Sequence, residues 1–178
     1  NSNESFLSAS YVTFFPTRPE INENNFDEQL DFHRETFYAG PDKMFAKYQI
    51  NVWLPIFDVS ENQTIRYIPK SHKIYDENIE TKHINSEVEK GSASHTLGYA
   101  YMPKKIISGV DFTKQKNLSV PNGSFVIFSS MLIHGAAINY DNKIRYSCDF
   151  GLLDEEVVDD IKFSFAGDRP QYLSYEEL

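Results

Sequence analysis

The chain has 178 residues, of which 40% are hydrophobic and 24% charged, so it can bury a core as one domain and is not a disordered tail. Its formal net charge of −9 argues against a nucleic-acid-binding surface, which needs clustered lysine and arginine. The single cysteine, Cys148, excludes an internal disulfide and a cysteine-based zinc site, and no apolar run approaches the ~20 residues of a membrane helix.

The first forty residues are predicted to contain a strand, a loop and a short helical turn. Tyr11–Phe15 is rich in β-forming side chains and predicts a strand that ends at Pro16. The polar segment Thr17–Asn25 is typical of a loop. The acidic segment Phe26–Phe37 predicts a short helical turn that runs into a strand.

A strand with two different faces is predicted over Lys47–Phe57. Alternate residues point to opposite sides of a strand, and here one side is apolar while the other is polar with one tryptophan. The apolar side carries Tyr48, Ile50, Val52 and Leu54, and the polar side carries Gln49, Asn51 and Trp53. Trp53 is expected to face inward because a lone tryptophan is seldom left exposed, whereas both orientations stay open for Gln49.

Short elements are also predicted in the middle of the chain. Thr64–Pro69 and His95–Met102 indicate strands. Asp76–Ser94 is polar and predicts a surface segment or a short helix.

The C-terminal part reads as strands and turns. Ser124–Ser129 predicts a buried strand. Leu132–Asn139 and Ile144–Leu153 flank a turn and predict a hairpin, and the acidic tail from Asp154 is expected to be weakly structured. Short strands with frequent turns favour an all-β sandwich or barrel, for which the double-sheet jelly roll is a natural candidate.

Two separated groups of residues could bind a metal ion. On a strand, His33 and Glu35 would share a face and could present an imidazole and a carboxylate to one ion, although a solvated pair is the simpler reading. His134 lies among apolar and small residues, so it lines a cavity or is a hydrogen-bonded core histidine. Two imidazoles and one carboxylate form the facial triad of non-haem Fe(II) oxygenases.

An arginine follows within the same C-terminal part. Arg145 lies in a strand-like segment and either forms a salt bridge, for instance with Asp149, or clamps a ligand carboxylate.

In these motifs and their order, the chain resembles the phytanoyl-CoA dioxygenase family, a branch of the Fe(II)/2-oxoglutarate-dependent oxygenases, from Gln29 to Phe150. Four segments carry the resemblance: His33-Arg34-Glu35, similar to the family's His-x-Asp/Glu motif; Asn51–Val59; Tyr67–Lys73, similar to its proline-x-serine-histidine-lysine signature; and Asn122–Phe128 followed by His134 and Arg145.

The resemblance implies a mainly β fold, the double-stranded β-helix (jelly-roll, cupin-like), with a few peripheral helices. It implies a single domain over 1–178 that lacks some N-terminal sequence. It further implies that Fe(II) binds His33, Glu35 and His134, and that Arg145 pairs with the distal carboxylate of 2-oxoglutarate. If their strand face looks into the barrel, Gln49, Asn51 and Trp53 line the co-substrate or substrate pocket.

Two residues depart from the family pattern. Glu35 stands where most members have Asp, and Ala136 stands where members often carry a Ser or Thr that helps to hold 2-oxoglutarate.

The implied activity is hydroxylation of a small metabolite, such as an amino acid, sugar or natural-product intermediate, with release of succinate and CO2. A non-catalytic jelly-roll binding module and a cupin-type metal enzyme that does not use 2-oxoglutarate are the alternatives. The net charge of −9 disfavours an anionic, CoA-like substrate. Beyond a small-molecule substrate, 2-oxoglutarate and dioxygen, no nucleic-acid or membrane partner is expected, and the expected location is cytoplasmic.

Overall fold

The structure, a computed structural model, describes residues 7–10, 12–19, 31–37, 47–57, 59–83, 104–154 and 172–173. Within these ranges the regular elements are mostly strands, and the helices are single 3-10 turns. The strands are β1 (Leu7–Ser10), β2 (Thr13–Thr17), β3 (Ile50–Pro55), β4 (Ile65–Tyr67), β5 (Glu80–His83), β6 (Lys104–Ser108), β7 (Lys116–Asn117), β8 (Val126–Ser129), β9 (His134–Ala136), β10 (Arg145–Asp154) and β11 (Tyr172–Leu173). The 3-10 turns are Glu35–Phe37, Ser71–Lys73, Asp76–Asn78 and Phe112–Lys114.

Two antiparallel sheets face each other across the core. The major sheet has the order β11-β1-β10-β3-β8, with β2 also paired to β10, and the minor sheet has the order β7-β4-β9. Trp53 on β3 packs with Ile65 on β4, so side chains of the two sheets meet in one cluster. This arrangement is the jelly roll that the sequence predicts. None of the helices in the described part of the chain has the length and apolar character needed to cross a bilayer.

Strand β3 turns its polar face to the inside. Gln49, Asn51 and Trp53 are buried, whereas Tyr48 and Ile50 on the opposite face are exposed. The inward orientation of Trp53 is confirmed, and the open question for Gln49 is resolved the same way. Val52, on the opposite face, is also buried, so the strand buries amides in addition to an aliphatic side chain. Buried amides on a central strand indicate a polar interior at this point.

The predicted hairpin is wrong. β9 pairs with β4 in the minor sheet, whereas β10 pairs with β1, β2 and β3 in the major sheet. The turn between them is real, but it carries the chain from one sheet to the other. Buried Asn139 holds this crossing, because its Nδ2 donates hydrogen bonds to the carbonyls of Thr17 and Lys143.

Three further predictions differ from the structure. β2 continues through Pro16 to Thr17 and pairs there with β10. Proline, which has no N–H to donate, is tolerated because β10 is the only described strand that pairs with β2, which makes β2 an edge strand there. The Ser124–Ser129 segment forms β8, but Ile127 is exposed instead of buried. The polar segment that begins at Asp76 contains a 3-10 turn and then β5, which pairs with β6.

Other predictions lie outside the described residues. These are the predicted loop and helical turn over 20–30, the strand His95–Met102, residues 84–94, and the acidic tail apart from β11.

One fully buried arginine joins the segment around residue 33 to the rest of the fold. The Arg34 guanidinium donates to the Asp76 carboxylate at 2.6 Å and to the backbone carbonyls of Ser71 and Ile74. The Ser71 hydroxyl in turn accepts a hydrogen bond from the backbone N–H of Ile133, one residue before β9. Arg34 therefore ties together two parts of the chain that are both adjacent to histidines.

Replacing Arg34 by Met should destabilise the protein by about 3 kcal/mol, because the change leaves a carboxylate and two carbonyls without their donor. Urea unfolding measures this loss. Lys73→Met, an exposed position in the neighbouring 3-10 turn, is the matched control and should change stability by less than about 0.5 kcal/mol. A loss at Arg34 no larger than that of the control would contradict the assignment.

Candidate active site

His33 and His134 are brought together by their backbones. The His33 N–H donates to the His134 carbonyl at 2.9 Å, and the His134 N–H donates back to the His33 carbonyl at 3.0 Å. This isolated antiparallel bridge sets the two imidazole rings 4.5 Å apart between centroids. The predicted strand through His33 and Glu35 is wrong, because the chain enters a 3-10 turn at Glu35. The Glu35 N–H donates a hydrogen bond to the Ser130 carbonyl. This bond and the 3-10 turn place the Glu35 carboxylate next to the two imidazoles.

Three candidate ligand atoms converge at this point. Glu35 Oε1 lies 3.5 Å from His33 Nε2 and 3.3 Å from His134 Nε2. One potential ligand atom from each residue lies within 4.8 Å of the others. Both histidines are buried, and Glu35 is partly exposed. Two nitrogens and one carboxylate oxygen on one side of a cavity are suited to a divalent metal ion that keeps open positions.

The hydrogen bonds of the two imidazoles fix which nitrogen faces inward. His33 Nδ1 lies 2.7 Å from the Asp31 carbonyl, and His134 Nδ1 lies 2.9 Å from the Leu132 carbonyl. A carbonyl can only accept, so each Nδ1 must carry the proton and donate it. In a neutral ring the Nε2 lone pair is then left for a ligand, which is the arrangement of metal-binding histidines.

The charges in this cluster are strongly coupled. Burial alone would lower the pKa of His33, but hydrogen bonding and attraction to Glu35 raise it above its usual value. Burial likewise disfavours the Glu35 carboxylate, yet its two histidine neighbours hold the Glu35 pKa far below the usual range. A positive charge between these atoms is therefore favoured, whether it is a proton or a metal ion.

Arg145 lies in the same cavity and has no ion-pair partner among the described residues. Its Nη1 donates to the Gln63 and Thr64 carbonyls, and its Nη2 donates to Thr17 Oγ1 at 2.6 Å. The salt bridge with Asp149 that the sequence left open is not formed. Burial lowers the Arg145 pKa to about 10, so the group remains charged at neutral pH.

A buried donor of Arg145 is left without an acceptor. Among the described residues, its Nε has no hydrogen-bond partner, and neither has the hydroxyl of Ser147, two residues along the same strand face. Unsatisfied buried donors of this kind are costly unless a ligand accepts from them. Nε and a remaining Nη2 hydrogen offer two N–H groups to a carboxylate, so the residues present fit the distal end of a dicarboxylate.

The other predicted residues divide into two groups. Asn51 and Trp53 line the cavity, and the Trp53 ring lies 5.9 Å from the Arg145 guanidinium carbon. Gln49 is not among the lining residues. It donates to Asn51 Oδ1 at 2.6 Å and packs against Gly151, so it supports Asn51 from behind. Ala136 also lines the cavity, without a hydroxyl to offer.

Sequence reasoning missed two residues of β10. Ser147 and Asp149 line the cavity together with Arg145. The strand period of two was enough to place all three on one face, once β10 was known to turn that face inward. Burial and, to a smaller extent, the nearby Glu35 charge raise the pKa of Asp149 to about 7.

We expect Asp149→Asn to stabilise the metal-free protein at about pH 8 and to have little effect at about pH 4. The pKa of this carboxyl is about 7 in the folded protein against an ordinary 3.8, so the folded state holds its proton more tightly than the unfolded chain. Between these values the wild type loses stability as pH rises, by on the order of 1 kcal/mol per pH unit. Asparagine does not titrate and escapes this loss.

Urea unfolding at several pH values measures the difference between the two proteins. The exposed Glu77→Gln is the control for removal of one carboxylate. An unchanged difference between variant and wild type across the pH range would contradict the environment assigned to Asp149.

Comparison with solved structures identifies the fold. The apo form of the non-heme monooxygenase ThoJ superposes with a TM-score of 0.59 at 15% identity, over 95% of this chain and 52% of that one. EvdO2 from Micromonospora carbonacea var. aurantiaca, solved with 2-oxoglutarate, gives 0.57 at 15% identity, over 93% and 56%. The epimerase SnoN, solved with Fe3+, alpha ketoglutarate and nogalamycin RO, gives 0.53 at 12% identity, over 95% and 62%.

The chain thus spans between half and two thirds of the length of these structures, and it shares their double-stranded β-helix fold. No curated protein matches the chain. The sequence profile of the phytanoyl-CoA dioxygenase (PhyH) family matches residues 9–147, which include His33, Glu35, His134 and Arg145. With most of its length matched and its fold shared with non-heme oxygenases, the chain belongs to the phytanoyl-CoA dioxygenase family.

Proposed function

We propose that this protein is an Fe(II)- and 2-oxoglutarate-dependent dioxygenase that hydroxylates a small-molecule metabolite and releases succinate and CO2. The observation that carries the proposal is the convergence of His33, Glu35 and His134 on one cavity that also contains the unsatisfied donor of Arg145. The donor set fits Fe(II), and the arginine fits a dicarboxylate co-substrate.

The three converging side chains would hold the metal. Both Nε2 atoms are presented by Nδ1–H groups that are already hydrogen-bonded to backbone carbonyls, so little reorganisation is needed. Glu35 would supply the anionic ligand, because its low pKa keeps it ionised at neutral pH. When bound, Fe(II) with 2-oxoglutarate and dioxygen supplies the oxidation of an unactivated C–H bond.

Arg145 would bind the distal carboxylate of 2-oxoglutarate. The backbone carbonyls of Gln63 and Thr64 fix the guanidinium through Nη1, and Nε has no acceptor among the described residues. The Ser147 hydroxyl, on the same strand face, would donate a second hydrogen bond and supply the contact that Ala136 lacks.

The remaining walls would exclude water and position the substrate. Trp53, Phe128 and Ile65 give the cavity an apolar lining beside the metal-binding atoms. Phe128 packs its ring edge-on against His134 at 4.6 Å between centroids and restricts that imidazole. A dry, shaped wall next to a reactive centre limits side reactions with solvent.

The ligand set is tested by metal binding to the single-site variants. Mn(II) should quench the emission of Trp53, the one tryptophan of the chain, because Trp53 lines the same cavity. His33→Ala and His134→Ala should each weaken Mn(II) binding by more than about 100-fold, since loss of a supporting group alone costs 10- to 100-fold. His72→Ala, an exposed histidine outside the cavity, is the control and should leave the affinity unchanged. Equal affinities in all three variants would refute the ligand assignment.

The Arg145 assignment predicts a specific loss of co-substrate binding. Arg145→Gln should weaken 2-oxoglutarate binding to the Mn(II)-loaded protein by about 10- to 100-fold, because a charge-assisted pair is removed. Arg145→Lys should fall in between, since lysine keeps the charge but not the two-pronged geometry. Isothermal titration calorimetry measures both, with exposed Lys105→Gln as the control for loss of one positive charge. Unaltered binding in Arg145→Gln would contradict the assignment.

The reaction itself is tested by succinate formation. The protein is loaded anaerobically with Fe(II), mixed with 2-oxoglutarate and exposed to air, with His134→Ala alongside. Succinate that forms in the wild type and not in the variant supports the oxygenase. No succinate together with no metal-dependent binding of 2-oxoglutarate would reject it and favour a non-catalytic binding module.

A further inference from the structure

A carboxylate that has no binding partner in the described part of the chain faces the candidate active site. Asp149 lies on β10 directly opposite Trp53 of β3 and lines the cavity with the three candidate metal ligands. The described residues provide it with no hydrogen bond and no ion pair. Arg145, on the same face, is by contrast tied to three protein oxygens.

The positive groups nearest to Asp149 are already engaged. His33 and Arg145 are the positive charges that act on it. His33 faces Glu35, and the Arg145 guanidinium is held by the Gln63 and Thr64 carbonyls and lies against the Trp53 ring. A half-buried carboxylate on a central strand is usually paired, and the described residues supply Asp149 with no partner.

If the proposed function is correct, the sum of charges in the cavity indicates the charge of the substrate group that would lie next to Asp149. The charges of Fe(II) and of doubly ionised 2-oxoglutarate cancel, and so do those of Glu35 and Arg145. When ionised, Asp149 then leaves the loaded cavity with one negative charge in excess. A neutral or anionic substrate would leave that charge buried and uncompensated, whereas a cationic group next to Asp149 would neutralise it.

The neighbouring amide adds a second polar contact. Asn51 lies diagonally across from Asp149 on β3, and its Oδ1 already accepts from Gln49 Nε2. Asn51 lines the cavity, and an amide N–H of its side chain would suit an oxygen of the ligand. Asn51 as a donor and Asp149 as an anionic acceptor are thus neighbours. This pair fits a ligand that carries an amino group close to an oxygen.

Resting on the proposed function, we propose that Asp149 is a specificity-determining residue that pairs with a protonated amino group of the primary substrate. The substrate class is then a small amine, such as an amino acid, amino alcohol or amino sugar. The net charge of −9 favours the approach of a cation.

The test uses three probes of one length that differ only in the terminal group: hexylammonium, hexanol and hexanoate. They are titrated into protein loaded with Mn(II) and 2-oxoglutarate under argon, with Trp53 emission as the readout because Trp53 lies opposite Asp149. Hexylammonium should bind at least about tenfold more tightly than hexanol, the range expected for a charge-assisted hydrogen bond, and hexanoate should bind most weakly.

The variants identify the residue responsible. Asp149→Asn should abolish the preference for the amine, and Glu77→Gln, an exposed carboxylate outside the cavity, should keep it. Asp149→Ser is measured in parallel, so a folding defect in one variant does not decide the result. The proposal is overturned if hexylammonium binds no more tightly than hexanol, or if both Asp149 variants retain the preference.

The same titration without metal and co-substrate separates this proposal from the proposed function. An Asp149-dependent preference for the amine in protein that does not bind Mn(II) and 2-oxoglutarate would keep the amine site and reject the oxygenase. Normal loading with no preference for the amine would keep the oxygenase and reject the role of Asp149.

Discussion

Two reciprocal backbone hydrogen bonds between His33 and His134 are the constraint on which the site depends. They join a short segment near residue 33 to the open edge of β9, whose other edge pairs with β4. Because the bond is made by the backbones themselves, the two imidazoles emerge side by side, and their Nδ1 groups reach carbonyls two residues earlier in each segment. Glu35 reaches the same point only because the chain tightens into a 3-10 turn immediately after the bridge.

Hydrogen bonds of Arg34 and Ser71 stabilise the segments on both sides of this bridge. Arg34 points away from its two neighbours and binds the Ser71–Asp76 region, while the Ser71 hydroxyl holds the backbone just before His134. Ser71, within the Tyr67–Lys73 motif, therefore helps to position both histidines through the residues next to them. Burying a guanidinium costs free energy, and the three hydrogen bonds that Arg34 donates through Nη1 and Nη2 to the Ser71–Asp76 region offset that cost.

On the opposite side, β10 supplies the polar floor of the cavity. Arg145, Ser147 and Asp149 lie on one face at the strand period. Within the described part of the chain, Arg145 Nε and the Ser147 hydroxyl have no hydrogen-bond partner, and Asp149 has no ion pair. Such groups lower the stability of the empty protein, as the raised pKa of Asp149 indicates. Polar groups that lack partners destabilise the fold locally, but a binding site needs them because the ligand then supplies the missing contacts.

The sequence was informative where chemistry is carried by local motifs. The spacing of His33, Glu35, His134 and Arg145 predicted the candidate site, and the alternation along β3 predicted the inward Trp53. Long-range pairing was not readable: the residues around the turn before β10 look like a hairpin, but the two strands belong to different sheets. The partners of Arg145 are backbone carbonyls, which leave no signal in the side-chain pattern.

The central claim is that His33, Glu35 and His134 form one metal centre, with Arg145 as the anchor of the co-substrate. The most direct measurement is a crystal structure of the protein grown anaerobically with Mn(II) and 2-oxoglutarate. The account predicts anomalous density for the metal bonded to Nε2 of both histidines and to the Glu35 carboxylate, with the distal carboxylate of 2-oxoglutarate on Arg145. Metal bound elsewhere, or 2-oxoglutarate bound away from Arg145, would contradict it.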